Sequence, residues 1–487
     1  MTAILGGGLA GLSSAFYLLK NKAHPVTVFE GSKVVGGWIQ SEKRENGVIF
    51  ELGPRTIRPA GPKGATTLAL LEELNLGPKV KPMPVTHPAA KNRLIYVNNK
   101  LHTLPVGISG LVRAHPPLSK SVLRYLIHEC RAKKVEKEDE SLYDFVERRF
   151  GEEIAEYIVR PMLCGICAGD AKEISVKFLM AVPFQLEQEH GSVIKGLIKN
   201  WLKRRDKSKV VSIPQSNLFF RSKMEHWSVY SLNGGLGELP KTLHEAVSFN
   251  PNCEVNLDAN CTDIEFQGSS VNLTIKDKKH TFDHLICATS SINLAPLLKK
   301  QHPVLADELS KIPFVNVIVI NLAFSKKLLK QEAFGFLVPP SQKLPILGVI
   351  YDSSCLDLKN ETVLTVMMGG RWFDQYFSEK QSESELLDIA LNQLKHILGI
   401  NEKPEAFKVS ILRNCIAQYI VGHADRVERI EKYINEKRLP ITLVGASYYG
   451  VGINDVVSSA MTGVEKLSKK IALEKSSERS NTFRTTF

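Results

Sequence analysis

The stretch AILGGGLAGLSSAFYLL, which begins at Ala3, leaves a chain little freedom. Its apolar start reads as a buried strand and its apolar end as a helix. Between them stands G-x-G-x-x-G, with Gly6, Gly8 and Gly11. Gly6 permits a tight turn, Gly8 lets a pyrophosphate approach the backbone, and Gly11 lets the helix pack close to the strand. The helix N-terminus then faces the phosphates. A second strand follows in HPVTVFE and ends at Glu30, 19 residues after Gly11, where a ribose-binding acid belongs. A glycine fingerprint alone is a weak signal. Strand, glycines, helix, strand and acid in that order predict a Rossmann-like dinucleotide-binding unit.

That unit does not separate NAD from FAD, and the flanking stretches do more. EGSKVVGGWIQS places Gly36 and Gly37 shortly after Glu30, a pair that allows close backbone approach to a second part of an extended cofactor. GVIFELGPRTIRP adds a strand and the turn Gly53-Pro54-Arg55. Near the far end, LPITLVGASYYGVGINDVVSSAMTGVEKL reads as a buried strand over Ile441 to Val444, a small-residue turn, and a helix from about Ile453. Two chain ends meeting at one nucleotide fit a large two-lobed flavoprotein. The N-terminus of that last helix would favour negative charge on a reduced flavin. Taken alone, the same stretch also reads as a strand-turn-helix without a ligand.

The 487 residues suggest about three domains, and a 43% hydrophobic content supplies large cores. The net charge of +12 favours anionic partners, although many soluble enzymes are as basic. No recognised nucleic-acid-binding module is present, so no nucleic acid is expected. The longest apolar run, PFVNVIVINLAF, is too short for a membrane span, carries two Asn and reads as a buried strand. The first strand begins at about Ala3, so neither a signal peptide nor a cleavable presequence is expected. Of eight cysteines only Cys164 and Cys167 form a C-x-x-C. With no second pair and no His at ligand spacing, no metal site is expected. The two read as ordinary thiols ahead of a redox pair.

The order of these elements resembles the FAD-dependent amine oxidase-like flavoprotein superfamily. GGWIQS, FELGPRTIRPAG, HPAAKNRLIYV, GFLVP and GASYYGVGIND narrow it: over about residues 3–470 the chain resembles the protoporphyrinogen oxidase family of animal mitochondrial type. The expected fold class is α/β: a Rossmann-like, glutathione reductase-like FAD-binding domain, a mixed-sheet substrate domain and a helical membrane-binding insertion. The FAD-binding domain is expected over 1–84, 230–295 and 436–475, and the substrate domain over 85–98, 205–229 and 296–435. The insertion is expected over 99–204, with a disordered tail over 476–487.

The resemblance implies FAD contacts at Gly6, Gly8, Leu9, Ala10, Gly11, Glu30, Gly37 and Trp38, and at the turn Gly53, Pro54, Arg55 and Thr56. It also implies contacts at Cys261, through its backbone on the adenine side, and at Ala446, Val451, Gly452 and Ile453. For the substrate, Arg93 matches an arginine that pairs with a propionate. Leu337 and Met367 match residues on the two faces of the macrocycle. Gly169 matches a glycine whose carbonyl lies near the reacting side of the flavin. Without the resemblance, Arg93 reads as a surface arginine, and Leu337 and Met367 as core. The implied reaction removes six electrons from protoporphyrinogen IX in three cycles, with dioxygen reoxidising the flavin to give hydrogen peroxide. Such a reaction needs wide apolar walls, one or two fixed cations and little acid-base machinery, and no His or Glu stands out as a general base. His87 and His423 read as structural or surface residues. An amine oxidase or desaturase on the same scaffold, with Tyr448 and Tyr449 as an aromatic cage, is the rival reading; a non-catalytic FAD scaffold is another.

In GSVIKGLIKNWLKRRDKSK, the residues Val193, Ile194, Leu197, Ile198, Trp201 and Leu202 share one helical face. Lys195, Lys199, Lys203, Arg204 and Arg205 border it, which suits a helix lying in an anionic membrane surface, or equally a helix packed on its own domain. HTLPVGISGLVRAHPPLSK adds a second apolar segment broken by Pro and Gly. The resemblance further implies a homodimer on the mitochondrial inner membrane, peripheral and on the intermembrane-space side.

Overall fold

The computed structural model describes residues 1–21, 25–45, 47–104, 107–204, 216–356, 358 and 360–484. Arg205, Pro105 and Val106 lie outside the described residues, as do the side chains of Lys203 and Arg204. Four short, mostly apolar and buried strands and a more polar edge strand form a parallel sheet in the order Ile441–Leu443, His284–Cys287, Thr2–Leu5, Val26–Phe29 and, at the edge, Cys253–Asn256. Their side chains alternate between two cores. Ile4, Val28 and Ile286 pack under the helices Leu9–Lys20, Gly61–Glu73, Glu238–Ser248 and Ile453–Arg484. Ala3, Leu5, Leu285 and Cys287 pack under a three-stranded antiparallel sheet spanning 261–282. Burial on both faces is why these strands read as continuous apolar runs.

A second, mixed sheet has seven strands in the order Ala406–Ala417, Phe314–Phe324, Thr362–Gly370, Ile346–Ile350, Gly335–Leu337, Leu94–Val97 and Lys100–Thr103. The run PFVNVIVINLAF supplies its second strand, as expected. Its buried Asn321 is tolerated because the amide donates to Thr365 Oγ1 at 2.8 Å and to the Glu51 carbonyl at 3.1 Å. A two-stranded ribbon of Val80–Pro84 and Trp227–Leu232 joins the two bodies.

Between 107 and 204 the chain is helical. The helices Val122–Arg131 and Leu142–Phe150 are locked by a fully buried pair, Arg149 with Glu129, and Ala181–His190 joins them through Glu187, 3.7 Å from Arg149. Glu129 also accepts from Ser192 Oγ, Val193 N and Ile194 N, so its charge is held by five donors rather than by Coulomb attraction alone. Among the described residues no helix is long and apolar enough to cross a membrane.

Three boundaries differ from the sequence reading. Lys100–Thr103 pairs with Leu94–Val97 and stays with the substrate sheet, because the two strands form a hairpin over Asn98 and Asn99, both at positive φ. The helix Asn217–Met224 packs on Gly61–Glu73, its Asn217 amide donating to Glu72 at 2.6 Å, and so belongs beside the nucleotide sheet. The tail expected to be disordered continues the last helix through Arg484.

Candidate functional site

The glycine turn is built as its spacing demands. Gly6 has φ +105°, and a Cβ on Gly11 would lie 1.8 Å from the Gly6 carbonyl oxygen, so any side chain there would push helix from strand. The helix Leu9–Lys20 starts at Gly8 with no side-chain cap and no acid in its first turn. Its leading N–H groups at Leu9, Ala10 and Gly11 therefore remain an anion site without a side-chain competitor. Glu30 closes the turn: its carboxylate accepts from Gly7 N at 2.6 Å and Ser32 N at 2.8 Å. Each oxygen keeps a lone pair for a ribose hydroxyl.

Three further segments meet this turn. Gly36 N donates to the Gly7 carbonyl at 2.9 Å and bridges Gly8, and Gly37 Cα is 3.9 Å from where a Gly8 Cβ would be. The loop before Cys261 lies over Glu30, with Ala259 N donating to the Glu30 carbonyl at 2.8 Å and Asp258 N to the Ser32 carbonyl at 2.9 Å. Gly445, at φ +96°, approaches so closely that a Cβ there would lie 3.1 Å from Ala10 Cβ. The predicted residues of the two chain ends are thus brought to one cradle. Its donors, its one acid and its exclusion of side chains fit an extended dinucleotide such as FAD.

The turn Gly53–Thr56 follows. A Cβ on Gly53 would lie 2.0 Å from the Trp38 carbonyl oxygen, which ties this turn to the half-exposed Trp38. Arg55 is buried, with Nη2 donating to the Gly53 carbonyl at 3.3 Å and Nη1 3.7 Å from Asp352 Oδ1. Nearby Glu51 accepts from Ser41 Oγ at 2.6 Å and Leu236 N at 2.7 Å. Burial outweighs those bonds and pushes its carboxyl up to about 7. Thus one carboxyl with a near-neutral pKa does exist, although no Glu stood out in the sequence. Its signal was the adjacency of an acid to the turn, in ELGPR.

At the C-terminal end Tyr419 braces the turn 446–450. Its hydroxyl donates to the Ala446 carbonyl and accepts from Gly450 N, both at 2.7 Å. His423 stacks on Tyr419 at 3.9 Å, is buried, and is held down to about 4 by that burial. It is structural, not a surface residue. His87 caps the helix Pro88–Lys91. The last helix starts at Ile453, but the Gly452 N–H is claimed by Asp455 Oδ2 at 3.3 Å, and Lys63 pairs with that acid at 2.6 Å.

The predicted substrate residues converge on the second sheet. Leu337, Gly348 and Met367 stand opposite one another on three adjacent strands. Directly opposed residues share a face, so Leu337 and Met367 flank Gly348, over which Leu337 leans: a Cβ on Gly348 would lie 3.1 Å from Leu337 Cδ2. The helix Arg160–Cys167 covers this face through Gly165, where a Cβ would lie 2.9 Å from Leu337 Cδ2. Next to it Gly169 is fixed by Gln418, whose Oε1 lies 2.2 Å from where a Cβ would be. The Cys164 thiol donates to the Gly169 carbonyl at 3.7 Å, and the Cys167 thiol to that of Leu163 at 3.6 Å. Burial pushes both thiols up, Cys167 to about 12, which suits inert thiols and not a redox pair. No cluster of metal ligands occurs among the described residues.

Arg93 immediately precedes Leu94–Val97, which runs parallel to Gly335–Leu337. It therefore stands at the end of the strand beside Leu337. The sequence reading missed Arg58, which follows the turn, is exposed, and is near enough for its charge to act on Arg93. The signal was a second arginine three residues after Arg55 in GPRTIRP.

Residues 9–467 match the profile of the flavin-containing amine oxidoreductases. The chain is 36% identical over 477 residues to protoporphyrinogen oxidase of Bos taurus, covering 94% of this chain and 96% of that one. It is 35% identical to the Homo sapiens protein of the same name, with the same shares covered. A crystal structure of an Exiguobacterium sp. 255-15 protein, provisionally assigned as a protoporphyrinogen oxidase, superposes with a TM-score of 0.78 at 22% identity, covering 96% of this chain and 98% of that one.

Proposed function

The chain belongs to the protoporphyrinogen oxidase family of flavin-containing amine oxidoreductases, and from that premise we propose that it oxidises protoporphyrinogen IX to protoporphyrin IX in porphyrin biosynthesis. The observation that carries the reading is the row Leu337–Gly348–Met367, an apolar strip on the sheet whose next strand begins just after Arg93. A flat tetrapyrrole with carboxylate arms suits an apolar strip with a cation at its end better than a small amine does. The rival aromatic cage is not assembled. Tyr448 is buried in the core, and the Tyr449 hydroxyl donates to Glu431 at 2.5 Å.

When bound, FAD supplies the two-electron acceptor that dioxygen restores, with release of hydrogen peroxide. The residues of this chain do the rest by position. Gly6, Gly8 and Gly11 admit the pyrophosphate to the helix N-terminus, and Glu30 takes the ribose. Gly37, Trp38 and the turn Gly53-Pro54-Arg55-Thr56 line the middle of the cofactor, and Cys261 its adenine end. Ala446, Val451, Gly452 and Ile453 close it from the far end of the chain. Leu337 and Met367 hold the macrocycle between them and exclude water. Arg93 fixes one carboxylate through two parallel hydrogen bonds, which orients the ring in its plane. The Gly169 carbonyl, which accepts from the Cys164 thiol, presents a fixed acceptor dipole near the reacting edge. The last helix offers less positive field than its length suggests, because Asp455 sits in its first turn.

We read the enzyme as peripheral on the mitochondrial inner membrane, at the intermembrane-space face, and as a homodimer. Support for the membrane part comes from the helix Val193–Arg204. Leu197, Ile198, Trp201 and Leu202 are each more than half exposed there, with Lys195 and Lys199 beside them. Leu123 and Ile127, on the helix it packs against, extend the exposed apolar face. That combination fits an anionic interface.

The test is direct. Purified flavin-replete protein, given protoporphyrinogen IX in air, raises porphyrin fluorescence well above the spontaneous rate and produces peroxide. Peroxide from amines, with no porphyrin formed above background, would move the assignment to the amine oxidases.

A further inference from the structure

Building on that reading, we propose that Arg58 is a second carboxylate-binding residue, so that Arg58 and Arg93 clamp the two propionates of one substrate molecule from opposite walls of the cleft.

Both backbones are fixed. Ile57 exchanges hydrogen bonds with Tyr230 at 2.8 and 2.9 Å, and the Arg58 carbonyl accepts from the Asn454 amide at 2.8 Å. Arg58 is therefore pinned where the turn Gly53–Thr56 meets the N-terminus of the last helix, both cofactor-lining elements. On the other wall Phe334 N donates to the Asn92 carbonyl at 3.1 Å and Leu104 N to the Arg93 carbonyl at 2.9 Å. Arg93 is thereby pinned at the end of the strand that flanks Leu337. The ribbon Val80–Pro84 with Trp227–Leu232 carries Ile57 on one strand and leads from the other into the helix before Arg93, and so sets the spacing between the walls.

Arg93 feels the charge of Arg58. Arg93 is held below the ordinary arginine range, first by its partial burial and then by the positive charge of Arg58. Among the described residues neither side chain makes an ion pair or a hydrogen bond, although 51 acids are present in the chain. Two cations near enough to repel, with no anion paired to either, are a standing electrostatic cost, relieved when two carboxylates enter. Protoporphyrinogen IX carries two carboxylates on neighbouring pyrroles. One guanidinium holds one of them bidentately and leaves the other to compete with water. Two hold the macrocycle in one in-plane orientation, which decides which meso carbon faces the flavin.

The test compares wild type, Arg58→Ala, Arg58→Lys and Arg93→Ala holoenzymes. It measures FAD per chain, kcat and KM for protoporphyrinogen IX and its dimethyl ester, and equilibrium binding of the stable diacid protoporphyrin IX. Expected for Arg58→Ala are full FAD occupancy and a ~10-fold rise in both KM and porphyrin Kd, with kcat lowered to the extent that the ring loses its single orientation. The dimethyl ester should not distinguish the variant from wild type, and Lys should restore part of the loss. Wild-type porphyrin binding by Arg58→Ala would overturn the proposal. Loss of FAD in step with loss of activity would also overturn it, and would make Arg58 a cofactor or structural residue. Failure of the wild type to oxidise the diacid would refute the functional reading instead, while the porphyrin-binding arm still decides the role of Arg58.

Discussion

Glu51 shows how one residue is read differently by sequence and by space. In ELGPR it precedes the cofactor turn and reads as an ordinary acid. In the fold it accepts the Ser41 hydroxyl and the Leu236 N–H, which ties the strand Ile49–Glu51 to the loop before the helix Glu238–Ser248. Burial raises its pKa to about 7. The folded protein therefore keeps a proton there, between pH 4.5 and 7, that the unfolded chain has released. The contribution of this group to stability is greatest at low pH and declines as pH rises through that window, by about 3 kcal/mol in all. Glu51→Gln keeps an acceptor for Leu236 and does not titrate. Chemical unfolding at several pH values should show wild type losing about 3 kcal/mol relative to E51Q across the window. A constant difference would mean that Glu51 stays ionised in the fold.

Elements whose meaning is local were legible. The glycine turn, the second strand and the helix from Ile453 each carry their reason within a few residues, and the structure forms them at the expected places. What was not legible depends on partners hundreds of residues away. Gly348 looks like any strand glycine until its register places it between Leu337 and Met367. Gly169 is set by Gln418, and the turn after Ala446 by Tyr419. Lys100–Thr103 was misplaced because its hairpin turns on Asn98-Asn99 with no glycine to mark it, and the polar turn reads equally as the start of a new segment. The amphipathic helix Val193–Arg204 stands between these cases. Its periodicity was plain, but only the fold shows that Val193 and Gly196 turn inward while Leu197, Ile198, Trp201 and Leu202 turn out. If that face sits in lipid, Trp201→Glu removes a large interfacial anchor and adds repulsion from an anionic surface. Cosedimentation with vesicles containing phosphatidylserine should fall at least ~10-fold, with turnover in detergent unchanged. Unchanged cosedimentation would assign the face to another surface of the protein or to a partner chain.

At the scale of the molecule, the cofactor site exists only because the C-terminal strand Ile441–Leu443 adds to the edge of the sheet that the N-terminus begins. Two buried histidines guard that junction. His284 lies on the strand that Ile441–Leu443 pairs with and bonds Thr442 Oγ1 at 2.8 Å; burial lowers it to about 3. His423 stacks under the turn that follows and is lowered to about 4. Both are neutral in the fold and would gain protons on unfolding. Their contribution is whole above pH 6.5 and is lost as pH falls towards 4 and then 3. Each is worth about 3 to 5 kcal/mol at the acid limit, so together they outweigh the opposite trend of Glu51. Acid should therefore open the molecule at this seam, releasing flavin before the helical insertion melts, because the Arg149–Glu129 lock holds an acid whose own pKa is lowered by its partners against the opposing effect of burial. His284→Gln keeps a polar partner for Thr442 and cannot titrate. Flavin fluorescence followed during acidification should show its release midpoint moved down relative to wild type, while the far-ultraviolet helical signal falls later in both. Coincident flavin release and helix loss at an unmoved midpoint would place the weak point elsewhere than the joint between the chain's two ends.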